Sequence, residues 1–325
     1  MRALVRWLAA ATAVGMFLVL VMGATVTNTG SAEGCGRSWP LCNGRFIPEF
    51  AVATAIEFSH RAVTGIEGFL VLGTAVGAWA FWRSRREVQV LVPLMLVTLV
   101  GQAGMGAWAV MSPQSPAILA THFGISLICL ASTALLATFV WQQDRLDAWR
   151  ATTPATQAYR LAVVALTFFQ MVVVYVGAFV RHTNAELACI DWPLCNGQLV
   201  PGLSGPVGAV FAHRLLALAS GVGLGWLLWR TAPLRRERPD LYAGALAAFA
   251  MVVVQSMIGA AIVWSRMQLF TALGHAAGVS LLFVALCYLW MHALPARAAP
   301  TTQYHPGAKP SRSAPRELGQ SPTAS

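Results

Sequence analysis

Four histidines in the apolar segments of this 325-residue chain are its best candidates for chemistry: His60, His122, His213 and His275. Each lies in a run long enough to cross a bilayer, where ionisable side chains are costly and usually functional. Neutral imidazole can bind a metal at a depth where a charged ligand would be unfavourable. A single histidine here would more simply be a hydrogen-bonded packing residue, but four such positions favour ligands.

An acidic residue accompanies the first histidine. Glu57 precedes His60 by three residues, so both side chains project from one face of a helix. A carboxyl group in apolar surroundings can exchange protons, which indicates reaction chemistry at this site. The alternative is a structural role in which Glu57 pairs with Arg61. A second acid, Glu67, lies two turns farther along a similar face, and the sequence assigns it no role.

The histidines belong to an internal repeat. Residues 39–44, with the sequence WPLCNG, recur unchanged as residues 192–197, an offset of 153. The same offset relates other pairs: His60-Arg61 and His213-Arg214, His122 and His275, Gln102 and Gln255, Gly106 and Gly259. Gly23 and Gly177 correspond at an offset of 154. The chain therefore consists of two related halves.

Eight apolar runs must position these residues. They are residues 5–26, 51–82, 88–111, 117–141, 159–180, 207–229, 241–264 and 269–292. With 57% hydrophobic and 10% charged residues, the composition is that of an integral membrane protein. Because backbone groups in lipid must be satisfied within the segment, all eight runs are predicted to be helices.

The predicted fold is an all-α integral membrane protein with eight transmembrane helices in two repeated four-helix bundles. Residues 1–145 form the first half and residues 155–295 the second. Both halves would enter the membrane from the same side, as parallel repeats do. Residues 296–325 are rich in Pro, Ser, Ala and Gly and are predicted to be a disordered cytoplasmic tail.

The distribution of arginines predicts the orientation. The net charge is +10, but most arginines flank the helix ends on one side, and only Arg37, Arg45, Arg181 and Arg266 lie on the other. By the positive-inside rule both termini are cytoplasmic, in a multi-pass protein of the cell (inner) membrane. This distribution, with no nucleic-acid-binding motif, argues against nucleic acid as a partner and leaves membrane lipid. The oligomeric state stays open.

Two outer loops carry paired cysteines, Cys35 with Cys42 and Cys189 with Cys195. They would face an oxidising compartment, so each pair is expected to form a disulfide. The pairs are either structural or redox-active. Cys129 and Cys287 lie in apolar runs and are expected to be packing residues.

Two histidines at matched depth in each half are the ligand set of a six-coordinate haem in a helical bundle. Structural zinc would need four nearby ligands, and copper would favour a nearby thiolate or thioether. Arg61 and Arg214 follow the first histidine of each pair and could bind haem propionates, or could reach the interface instead. Glu57 corresponds to Val210 in the second half. The first site is therefore expected to be reactive and the second only to hold a haem.

On these residues the chain resembles the haem A synthase family, of the bacterial type with a cysteine pair in each of two outer loops. The resemblance covers about residues 5–295 and rests on the Glu-x-x-His-Arg motif, the three other histidines and the cysteines. It implies an oxidoreductase of cytochrome oxidase assembly that oxidises the C8 methyl group of haem O to a formyl group, giving haem A.

The resemblance also implies the roles of the residues. His60 and His122 would bind the iron of the substrate haem O beside an essential Glu57, and His213 and His275 would bind a haem b cofactor. Haem O synthase is the expected partner, because it makes the substrate. The alternatives are a two-haem electron carrier, which does not need Glu57, and a haem transporter, which would not convert haem O.

Overall fold

The computed structural model describes residues 1–112 and 115–296, which form eight long α-helices. They are α1 (Arg2–Asn28), α2 (Val52–Trp82), α3 (Arg86–Met111), α4 (Pro116–Thr152), α5 (Gln157–His182), α6 (Gly205–Thr231), α7 (Pro239–Trp264) and α8 (Leu269–Ala293). Each is long and apolar enough to cross a bilayer, which confirms the predicted all-α membrane protein. The predicted disordered tail falls almost entirely outside the described residues.

Local sequence explains where several helices begin. Ser115 caps α4 by accepting a hydrogen bond from the backbone N–H of Ile118, and Thr156 caps α5 through the N–H of Tyr159. Prolines stand in the first turns of α4, α6 and α7, where their missing N–H costs nothing.

Helix α4 is longer than its apolar run, because it continues to Thr152 whereas the apolar run ends at residue 141. The extension is polar, and it buries Arg150, whose Nη1 lies 2.6 Å from Glu87 Oε1 in α3. A second buried ion pair joins Arg238 to Asp240, which also accepts from His292 Nδ1 at 2.9 Å. These contacts join helix ends remote from the four predicted ligands, and breaking either pair would leave a buried charge uncompensated.

The helices pack in the same order within each half. Helices α1 and α3 both contact α2 and α4, and α5 and α7 both contact α6 and α8. Contacts of α4 with α5 and α8, and of α1 with α8, join the two sets around buried residues such as Met16, Leu127 and Phe283. Residues 1–295 form one compact unit. The division into two four-helix bundles, residues 1–145 and 155–295, stays a prediction.

Candidate haem-binding sites

The four histidines lie at equivalent depths in their helices. His60 follows the first residue of α2, Val52, by eight positions, and His213 follows Gly205 of α6 by the same number. His122 and His275 each lie six positions after the first residues of α4 and α8. Since an α-helix has about 3.6 residues per turn, all four lie about two turns from the N-terminal ends of their helices.

The predicted histidine pairs are brought together. His60 interacts electrostatically with His122, and His213 interacts with His275. The members of each pair come from α2 and α4, or from α6 and α8, the second and fourth helices of each half. Each half thus brings two imidazoles near each other, and their binding of one iron atom per pair stays a prediction.

Each imidazole ring packs against a glycine of the preceding helix. The pairs are His60 with Gly23 (α1), His122 with Gly106 (α3), His213 with Gly177 (α5) and His275 with Gly259 (α7). A methyl group at Gly23 or Gly106 would lie 3.3 Å from the ring Cε1, at Gly177 2.7 Å, and at Gly259 3.4 Å. Because glycine has no side chain, these four positions leave space for the imidazole rings.

The Nδ1 atoms of all four histidines are buried, and none makes a hydrogen bond within the described residues. A buried polar atom without a partner is rare in proteins, so its recurrence at all four positions marks these histidines as candidate ligands.

Glu57 is buried, with 3% of its surface exposed, and both of its carboxylate oxygens have partners. Oε1 lies 2.5 Å from Arg61 Nη2, and Oε2 accepts a hydrogen bond of 2.8 Å from the backbone N–H of Cys35. The pairing with Arg61 considered as an alternative from sequence is therefore present. Glu57 connects the helix of His60 to the first disulfide loop.

The two arginines bind the two disulfide loops in the same way. Arg61 Nη1 donates to the carbonyls of Ser38 and Leu41, at 2.8 and 2.9 Å. Arg214 donates to the carbonyls of Leu194 and Asp191, at 2.6 and 2.9 Å, the equivalent positions in the repeat. Each loop is thereby hydrogen-bonded to the residue that follows a predicted histidine ligand.

Both predicted disulfides are formed. The Cα atoms of Cys35 and Cys42 are 4.4 Å apart, and those of Cys189 and Cys195 are 4.6 Å apart. The free cysteines are Cys129, which is buried, and Cys287, which is partly buried. Among the described residues, no group of three or more His, Cys, Asp and Glu side chains is placed to hold a metal ion.

Asp191 makes hydrogen bonds within the second disulfide loop. Its carboxylate accepts hydrogen bonds from the backbone N–H groups of Gly197 and Asn196, at 2.7 and 2.6 Å, and these bonds lower its pKa. Their contribution to loop stability is present above the usual pKa of aspartate, about 3.9. It is lost as the pH falls through the lowered pKa, because the protonated acid accepts less well.

We expect the Asp191→Ala variant to lose protection of the Asn196 and Gly197 amides against hydrogen exchange at neutral pH, and the wild-type protein to lose it only on acidification. Substituting the exposed Glu49 with alanine is the control and should leave these two amides unchanged. Equal exchange in wild type and the Asp191 variant would show that the carboxylate does not order the loop.

The sequence was compared with known proteins. Residues 47–287 match the model of a family described as Cytochrome oxidase assembly protein. The chain belongs to this family. A protein named Heme A synthase from Halalkalibacterium halodurans is 42% identical over 288 residues, covering 86% of this chain and 94% of the relative. Proteins of that name from Bacillus cereus and Bacillus anthracis are each 38% identical, covering 90% of this chain and 94% of the relative.

Within this cytochrome oxidase assembly family member, sequence reasoning identified the histidines but missed the glycines that accommodate them. The signal was present, since Gly106 and Gly259 recur at the offset of 153 and Gly23 and Gly177 at 154. It also left Glu67 unassigned, although the side chain proves to be buried.

Proposed function

We propose that this protein is a haem A synthase, an oxidoreductase that oxidises the C8 methyl group of haem O to a formyl group. The observation that carries the proposal is the duplicated histidine pair, each ring set against a glycine, in a chain of the cytochrome oxidase assembly family. Expression in cells that make haem O but no haem A tests it. Haem A should appear in extracts of these cells, identified by chromatography, only when the protein is present.

The C-terminal half is proposed to hold haem b between His213 and His275. The residues fit a porphyrin iron, because both Nδ1 atoms are buried and the rings lie against Gly177 and Gly259. When bound, haem b would supply one-electron redox chemistry. The residues themselves orient the two imidazoles and fasten the outer loop above them through Arg214.

The N-terminal half is proposed to bind the substrate, haem O, through His60 and His122. Its distinguishing residue is Glu57, whose equivalent, Val210, cannot exchange a proton. We propose that Glu57 holds and moves protons during oxidation of the methyl group, exchanging one of its present hydrogen bonds for a contact at the substrate. Its burial and its position one turn from His60 support this role.

Arg61 and Arg214 are proposed to bind haem propionates in addition to anchoring the loops. Their position directly after His60 and His213 supports this role. Each guanidinium already donates to loop carbonyls, so a propionate would bind beside the loop or displace one carbonyl. The disulfides then act as structural covers over the two sites.

The cellular setting follows from the charge distribution and the proposed reaction. We propose that the protein lies in the cell (inner) membrane with both termini in the cytoplasm and the disulfide loops outside. Haem O synthase is the proposed partner, because its product is the substrate. The haem A formed would serve assembly of cytochrome oxidase.

Substituting Gly177 tests the glycine contact. In Gly177→Ala the new methyl would lie 2.7 Å from His213 Cε1, so the ring must move, whereas Gly259→Ala creates an ordinary contact of 3.4 Å. Overpacking of this kind costs about 1–3 kcal/mol. We expect the haem b content of the purified Gly177→Ala variant to fall several-fold and that of Gly259→Ala to stay near wild type. Equal haem content in the two variants would contradict the proposed fit.

A further inference from the structure

Glu67 is a buried acid that the proposed reaction does not use. It is 2% exposed, and its Oε1 has no hydrogen-bond partner among the described residues. Its Oε2 packs so closely on α1 that a methyl group at Gly15 would overlap it. An intramembrane acid without a partner is unfavourable unless a ligand supplies one.

A thiol and an amide from two other helices lie on the same side of the bundle as Glu67. Cys129 in α4 interacts electrostatically with it, and Gln102 in α3 places its Nε2 3.9 Å from Cys129 Sγ. We call Glu67, Gln102 and Cys129 the inner polar layer. Cys129 follows His122 by seven residues, as Glu67 follows His60. Glu67 and Cys129 therefore lie about 10 Å along their helices from the histidines.

The equivalent layer of the C-terminal half differs in its chemistry. Ser220 corresponds to Glu67 and Leu282 to Cys129. Ser220 donates a 2.7 Å hydrogen bond to Gln170 Oε1, so this pair is satisfied within the protein. An acid with a free oxygen in this layer is thus confined to the half that is proposed to bind the substrate.

We propose that the inner polar layer binds the hydroxyl group that haem O carries on its hydroxyfarnesyl side chain and that haem b lacks. This inference rests on the proposed function. Glu67 follows His60 by seven residues, or two turns, so both side chains project from the same face of α2. A carboxyl group can pair with a hydroxyl whether it is protonated or ionised.

The consequence of such a contact is discrimination between two haems. A site built to hydrogen-bond a substrate hydroxyl disfavours an analogue without one, because its buried polar groups then stay unpaired. Glu67 would select haem O for the N-terminal half, whereas Ser220, its equivalent in the C-terminal half, is already bonded to Gln170.

The test measures binding rather than turnover. The full-length protein, with its haem b, is purified from cells without haem O synthase, then titrated separately with haem O and protohaem while the Soret absorption is followed. We expect the wild type to prefer haem O. Glu67→Leu should weaken haem O binding about 10- to 100-fold and leave protohaem binding unchanged. Glu67→Gln should keep most of the preference, because an amide also forms the hydrogen bond.

The matched control is Ser220→Ala, the equivalent change in the other half, which should leave both titrations as in wild type. Retained haem b absorption shows that each variant is folded. Equal affinity of wild type for the two haems, or an equal change for both haems in Glu67→Leu, would overturn the role of the layer. Haem O that binds equally well after His60→Ala would instead contradict the proposed substrate site.

Discussion

Replacing His213 or His275 with alanine is expected to remove the absorption spectrum of permanently bound haem b from the purified protein. Among the described residues no third His, Cys, Asp or Glu joins the pair to form a metal-binding group, so no side chain is placed to replace a lost imidazole. Loss of one axial ligand from a six-coordinate iron changes its spin state or releases the haem. We expect nearly complete loss of the low-spin spectrum in both variants.

The matched controls are His60→Ala and His122→Ala, the equivalent changes in the other half. They should retain the haem b spectrum while haem O is no longer bound. A haem b spectrum that survives both C-terminal substitutions would show that the ligands of the cofactor are assigned to the wrong half.

Replacing Glu57 with glutamine is expected to reduce haem A formation by two orders of magnitude or more while haem b stays bound. General acid–base groups contribute about 10²- to 10⁴-fold to rate, and glutamine cannot take up or release the proton. The amide is nearly isosteric and can still accept the hydrogen bond from Cys35 N–H, so the loop should stay in place. Haem A is measured by extraction and chromatography after expression with haem O synthase.

The contact between Glu57 and Arg61 makes a control necessary. Arg61→Lys weakens the hydrogen bonds to the loop carbonyls but keeps the carboxyl group of Glu57. This variant should retain much more haem A formation than Glu57→Gln. Haem A formation that is unchanged in Glu57→Gln would show that the oxidation does not need proton exchange at this carboxyl group. A similar loss in both variants would assign Glu57 a structural role.

The number, type and approximate bounds of the helices could be predicted from the sequence, because apolar runs of this length have few alternatives in a membrane. The C-terminal extension of α4 could not, since it is polar and is stabilised by the Arg150–Glu87 pair between two helices. Hydropathy detects the apolar residues that lie within the bilayer, so it does not detect the polar part of a helix that continues beyond the bilayer.

For the candidate sites, the repeat identified the histidines and the cysteine pairs. It could not reveal that Glu57 bonds to the Cys35 amide, because that contact depends on how the loop folds back over the helix. The repeat did not explain the recurring glycines either. Their role depends on the contact between each glycine and the ring of His213 or an equivalent histidine, which only the structure shows. A role for Glu67 could not be predicted either, because the three-dimensional structure is needed to show that its carboxylate oxygen has no hydrogen-bond partner.

The most direct test of the central claim is the identity and number of haems in the purified wild-type protein, obtained by extraction and chromatography after co-expression with haem O synthase. Two histidine pairs predict two haems per chain, one of them haem b and the other haem O or its oxidation product. A protein that contains no iron-porphyrin, even after reconstitution with haem, would contradict the account.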